Sequence, residues 1–117
     1  MSFLYELANL EEKPGVSFDN IAQGIVNLIP STWQYPDITG AQVLLEGFKE
    51  FKTDNYQETS WMHRAKIMIK NIPKGTLTVC YLKTKPECYE GSFLREERDL
   101  LNALAERLGR IRVSVNS

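Results

Sequence analysis

The sequence predicts an α+β domain: one antiparallel sheet with helices at the N- and C-terminal ends. Three observations carry this. Apolar residues recur at helical spacing near both ends of the chain, they alternate with period two in the middle, and turn-forming residues rather than crossover helices separate most of the alternating stretches. Strands joined in that way pair as antiparallel neighbours, because parallel pairing needs a crossover of a dozen or more residues. No repeat, low-complexity tract or linker divides the 117 residues. A chain of that length supports one core, so a single domain over 1–117 is expected.

In chain order, Leu4, Leu7 and Ala8 share a helical face that ends at Lys13-Pro14-Gly15, which predicts a short first helix. Ser17 then caps a second helix, whose inward face is Ile21, Ile25, Leu28 and Ile29 and which should stop at Pro30. Residues 31–37 hold two large aromatics and Pro36 and read as an ordered loop. From Ala41, Val43 and Leu45 alternate with Gln42, Leu44 and Glu46, and Gly47 turns the chain into Phe48 to Thr53, a β-hairpin. Residues 53–60 form a polar connection to a third strand, in which Ala65, Ile67 and Ile69 alternate with Lys66, Met68 and Lys70. Asn71 to Gly75 carry turn chemistry. The fourth strand, Thr76 to Lys83, is apolar on both faces, which suits a central position and buries Cys80. After a loop over 84–91, Ser92 caps a last helix with a stripe of Leu94, Leu101, Leu104 and Leu108, beside Leu100 and Ala105. Beyond it two readings stand: Gly109 ends the helix and Ile111, Val113 and Val115 form an edge strand, or the helix runs through Gly109.

Fourteen basic against fifteen acidic residues leave a net charge of −1. Such a balance supplies no bulk field for a nucleic acid backbone or an anionic membrane. No apolar run approaches the roughly 20 residues that span a bilayer, and residues 1–12 lack the basic start of a secretion signal, so a cytoplasmic location is expected. Cys80 and Cys88 should then be reduced thiols.

Three blocks, read together, resemble a known sensory module: Ile29-Pro30-Ser31-Thr32-Trp33-Gln34-Tyr35-Pro36-Asp37-Ile38, Asn55-Tyr56-Gln57-Glu58-Thr59-Ser60-Trp61, and the helix from Phe93 to Gly109. The module is the GAF-like domain found beside histidine kinases and phosphoenolpyruvate-synthase-like enzymes, and the likeness runs from about residue 4 to 110. It implies a GAF/PAS-like sheet with the terminal helices on one face and a loop-built ligand pocket on the other. It also implies two-component signal transduction, with an effector such as a histidine kinase acting in trans. Terminal helices in this family often pair between subunits, so a homodimer through Leu94, Leu101, Leu104 and Leu108 is expected. The stripe has a plainer use as well, packing on the sheet, and Glu97 interrupts it as a coiled-coil seam.

The loop aromatics Trp33, Tyr35, Tyr56 and Trp61, with Cys80 on the fourth strand, are the candidate pocket residues; each aromatic is either a core plug or a pocket wall. His63 reads as a strand-end histidine or, alternatively, a haem or metal ligand or pH-sensitive pocket residue. Cys80 is its companion haem candidate, since some GAF domains hold haem through Cys or His. No cofactor is required by the sequence, and one His with two Cys seven residues apart does not make a zinc site. Glu87 and Glu90 disfavour a thiolate at Cys88. No phosphate-binding glycine loop and no hydrolytic triad can be assembled, so the expected role is non-catalytic ligand sensing, with a ligand-free interaction or dimerisation module as the alternative.

Overall fold

A computed structural model describes residues 17–33, 35–83 and 95–115. Its elements are helix α1 (Phe18–Thr32), a 3-10 turn (Pro36–Ile38), strands β1 (Thr39–Leu45), β2 (Phe51–Lys52), β3 (Met62–Ile69) and β4 (Ile72–Tyr81), and helix α2 (Arg95–Val115). The expected first helix, Ser92, Cys88 and Leu94 lie outside the described residues.

The four strands form one antiparallel sheet in the order β2-β1-β4-β3, which makes the α+β class and the central place of β4 facts of the structure. Strand parity sorts the side chains into two faces. Ala41, Val43, Leu45, Phe51, Ala65, Ile67, Leu77, Val79 and Tyr81 point to one side and are buried. Both described helices cover that side, α1 over β1 and β2, and α2 over β3. From α1 come Ile21, Ile25, Val26 and Ile29, and from α2 Leu101, Leu104 and Leu108, all at most 2% exposed. Each such side chain contributes roughly 1.5–3 kcal/mol by leaving water.

Ser17 caps α1 as the sequence predicts, its hydroxyl accepting from the Asn20 amide at 3.2 Å. The helix does not stop at Pro30 but runs on to Thr32. Proline's fixed φ is helical, so its penalty is the missing amide and a clash one turn back. In this last turn other donors take over: the Ser31 and Thr32 hydroxyls donate to the Leu28 carbonyl at 2.8 and 3.2 Å, and the Trp33 amide is shared between the Ile29 and Pro30 carbonyls.

Strands differ from expectation mainly at their ends. β1 begins at Thr39 rather than Ala41, β2 keeps only Phe51 and Lys52 of the expected 48–53, and β3 begins at Met62, ahead of Ala65. The turn between β3 and β4 is Lys70-Asn71 rather than 71–75; both residues have positive φ, 53° and 66°, as a type I′ hairpin turn requires. Ile72 to Gly75 therefore belong to β4, which ends at Tyr81 and not at Lys83. Pro73 is tolerated there because it lies past the last β1 partner, Leu45 opposite Gly75, and next to a bulge at Lys74.

Two glycines mark close approaches. A Cβ on Gly75 would stand 2.1 Å from the Leu44 carbonyl oxygen, and one on Gly109 would stand 2.1 Å from the Met68 carbonyl oxygen. The second contact decides between the two readings of the tail. Gly109 is used for the closeness of α2 to the end of β3, the helix passes through it to Val115, and no edge strand forms over 111–115.

Candidate functional site

The opposite face of the sheet carries Gly40, Gln42, Leu44, Lys52, Met62, Arg64, Lys66, Thr76, Thr78 and Cys80, and no described helix lies on it. Cross-strand pairing sets these residues in rows. Met62, Cys80 and Gly40 form one row, Arg64, Thr78, Gln42 and Lys52 the next, and Lys66, Thr76 and Leu44 the third.

The connection over 53–61 is strapped across the first row. The Thr53 hydroxyl accepts from the Ala41 amide at 3.2 Å and donates to Asn55 Oδ1 at 2.6 Å, while Asn55 Nδ2 donates to the Thr39 carbonyl at 3.2 Å. At the other end the Thr59 hydroxyl donates to the Tyr81 carbonyl at 2.8 Å. Between these ties Tyr56 crosses Gly40. A Cβ there would stand 3.1 Å from both Tyr56 Cα and Cys80 Sγ, so the glycine lets the strap sit down on β1.

Polar groups collect under and beside the strap. Thr78 is 2% exposed and Gln42 9%, although no described helix covers them. Gln42 Nε2 donates to Glu50, whose carboxylate also pairs with Lys52 at 3.5 Å. Burial pushes the Tyr56 hydroxyl above its ordinary pKa; the charges of Cys80, Glu58 and Glu50 add to the effect, and Arg64 opposes it. Burial also pushes the Cys80 thiol up, against hydrogen bonding from the backbone at Gln57 and Gly40. Cys80 is thus a protonated, strap-covered thiol, a poor nucleophile.

The sheet divides the candidate pocket residues into two groups. Tyr56 and Cys80 lie on the strapped face. Trp33, Tyr35 and Trp61 pack against the helix-side core: Trp33 is 3% exposed, and Tyr35 meets the ring of Tyr81 edge-on, with centroids 5.6 Å apart. These three act as core plugs, and a single pocket walled by all four aromatics does not form. The buried indole N–H of Trp33 has no acceptor among the described residues. Below Tyr35, the Tyr81 hydroxyl donates to the buried carboxylate of Glu97 at 3.1 Å. Glu97, which looks out of place in a leucine stripe, therefore serves as the partner that lets Tyr81 be buried.

His63 pairs with Val79 and so points to the helix side, opposite to Cys80. The two haem candidates cannot hold one group between them. No cluster of three metal-ligating side chains occurs among the described residues. Leu101, Leu104 and Leu108 are consumed within the chain against the sheet, which removes them as an exposed dimer seam. Sequence reasoning missed Gln42, Arg64 and Thr78 as a row. Their shared parity is readable, since each alternates with buried apolar neighbours, but the register that aligns them is not.

Comparison with protein-family models, with curated proteins and with solved structures gives no match. No described helix is long and apolar enough to cross a membrane.

Proposed function

We propose that the chain is a GAF-like sensory module of the cytoplasm, which binds a small molecule on the strapped face of its sheet and has no catalytic activity of its own. One observation carries the reading: buried polar side chains, Gln42 and Thr78, in the row beside a strap, on strands whose other face carries the C-terminal helix. Helices on one side and a loop-covered polar surface on the other is the arrangement that the resemblance implies.

The coupling route is short. Arg64 and Thr78 belong to β3 and β4, and α2 packs on β3 and meets the Met68 carbonyl through Gly109. A ligand that draws β3 and β4 together on one face alters the bed of α2 on the other, to the extent that its affinity differs between the two arrangements. The output is read by an effector in trans, a histidine kinase being the partner the resemblance suggests. A homodimer, if formed, uses a surface other than the Leu101, Leu104 and Leu108 stripe.

Thermal unfolding against a panel of anionic, cationic and neutral metabolites, followed by hydrogen exchange, tests this. A ligand present at 100 times its dissociation constant adds about 2.7 kcal/mol, and exchange of the α2 amides should change with it. If no panel member shifts the midpoint while the molecular mass rises with protein concentration, the ligand-free interaction module replaces the sensor.

A further inference from the structure

The geometry points to an oxyanion-binding site on the β3–β4 hairpin, formed by Arg64 and Lys66 on β3 and by the Thr76 and Thr78 hydroxyls directly opposite them on β4. The inference deepens the sensory reading and rests on it: the molecule sensed carries a carboxylate or phosphate.

The register places Arg64 opposite Thr78 and Lys66 opposite Thr76, all on the face without a described helix. Residues two apart on a strand are roughly 6.6 Å apart, and neighbouring strands about 4.8 Å. The four side chains therefore make a patch about the size of one carboxylate or phosphate with its hydrogen-bonding shell. Two of them supply charge and two supply hydroxyl donors.

Each of the four is unspent. Thr78 is 2% exposed as a residue, but its hydroxyl is not sealed from solvent: it makes no hydrogen bond among the described residues, and the one fully buried side-chain polar atom left without a partner there is Trp33 Nε1. Arg64 has no acidic partner there either; its one hydrogen-bond contact is the thioether of Met62, at 3.6 Å. Lys66 forms no ion pair among the described residues. Two acids lie near this face: Glu50 holds Gln42 and Lys52 on the far side of Thr78, and Glu58 lies on the strap, where its charge acts on Tyr56. An incoming anion finds two cations, Arg64 and Lys66, that form no ion pair among the described residues. Tyr56, whose hydroxyl lies in the field of Arg64, stands at the strap edge of the patch and offers a third hydroxyl.

Titration of the isotopically labelled full chain with inorganic phosphate, succinate and putrescine, at constant ionic strength set by sodium chloride, tests the assignment. Saturable amide shifts centred on residues 64, 66, 76 and 78 are expected with phosphate or succinate and not with putrescine. Phosphate binding without succinate binding assigns a phosphate-bearing ligand, and the reverse a carboxylate. Arg64→Gln should weaken binding about tenfold or more, the loss of one charge-assisted contact. Thr78→Val should weaken it while leaving the fold intact, and Lys52→Gln, at the other edge of the sheet, should not change it. Shifts that sodium chloride alone reproduces, or equal binding by Arg64→Gln and Thr78→Val, would overturn the site. A neutral or cationic metabolite that stabilises the chain would overturn the oxyanion assignment and leave the sensory reading standing.

Discussion

The two faces of this sheet are built from the same strands and obey different rules. On the helix side nearly every side chain is apolar and closely packed; Tyr81 is matched by Glu97, while the Trp33 indole N–H is left without an acceptor among the described residues. On the strap side burial falls on polar groups, and the cover is a loop tied by Thr53, Asn55 and Thr59 rather than a helix. Stability resides on the first face and adaptability on the second. A strap held by a handful of hydrogen bonds, each worth about 1 kcal/mol net, opens at far lower cost than a packed helix leaves its bed. A ligand site is expected where the structure is least committed.

The contrast is sharpest at single side chains. Leu104→Ala should lower unfolding free energy by about 3 kcal/mol, measured by urea denaturation, while Thr78→Val on the opposite face should stay within about 1 kcal/mol, because an unpartnered hydroxyl has no bond to lose. Equal losses would erase the distinction between the faces. Gly109→Ala should cost about 2 kcal/mol, since the new methyl overlaps the Met68 carbonyl. An ordinary mid-helix glycine gives the opposite sign, a gain of roughly 0.5–1 kcal/mol, so a stabilised Gly109→Ala would show that α2 does not press on β3.

Tyr81→Phe should cost about 1–2 kcal/mol by stripping the buried Glu97 carboxylate of a donor. The smallest effect belongs to the strap. Thr53→Val leaves the Ala41 amide without its acceptor and should cost about 1 kcal/mol, and it should speed modification of Cys80 by a neutral disulfide reagent, because it unties the cover. The pH dependence has a definite sign. Burial raises the pKa of both Cys80 and Tyr56 in the folded chain, so their contribution is fully present at neutral pH. It is lost as pH rises above roughly 8.5 for the thiol and about 10 for the phenol. Base titration of wild type against Cys80→Ser checks this; a loss confined to acid would contradict it.

Much of the helix side was legible in advance. Ile21, Ile25 and Ile29 on α1, the alternation through Ala41, Val43 and Leu45, and the leucines of α2 all announce their inward faces, because local periodicity ties a residue's position to its direction. The strap side was not. Tyr56 was grouped with Trp33, Tyr35 and Trp61 because loop aromatics look alike in sequence, and only the folded sheet shows that it lies on the other face. Nothing in the sequence singles out Arg64 and Thr78 as a pair, because only strand pairing sets them side by side.

The sequence by itself determined the class of fold, the inward stripe of each described helix and the central place of the fourth strand, all of which follow from apolar spacing within a few residues. Only the tertiary structure decided the strand register, the separation of His63 from Cys80, the passage of α2 through Gly109 and the burial of Glu97. Those depend on what a residue meets from a distant part of the chain. A glycine that would end a helix in isolation continues it when a neighbouring strand comes too near for any side chain.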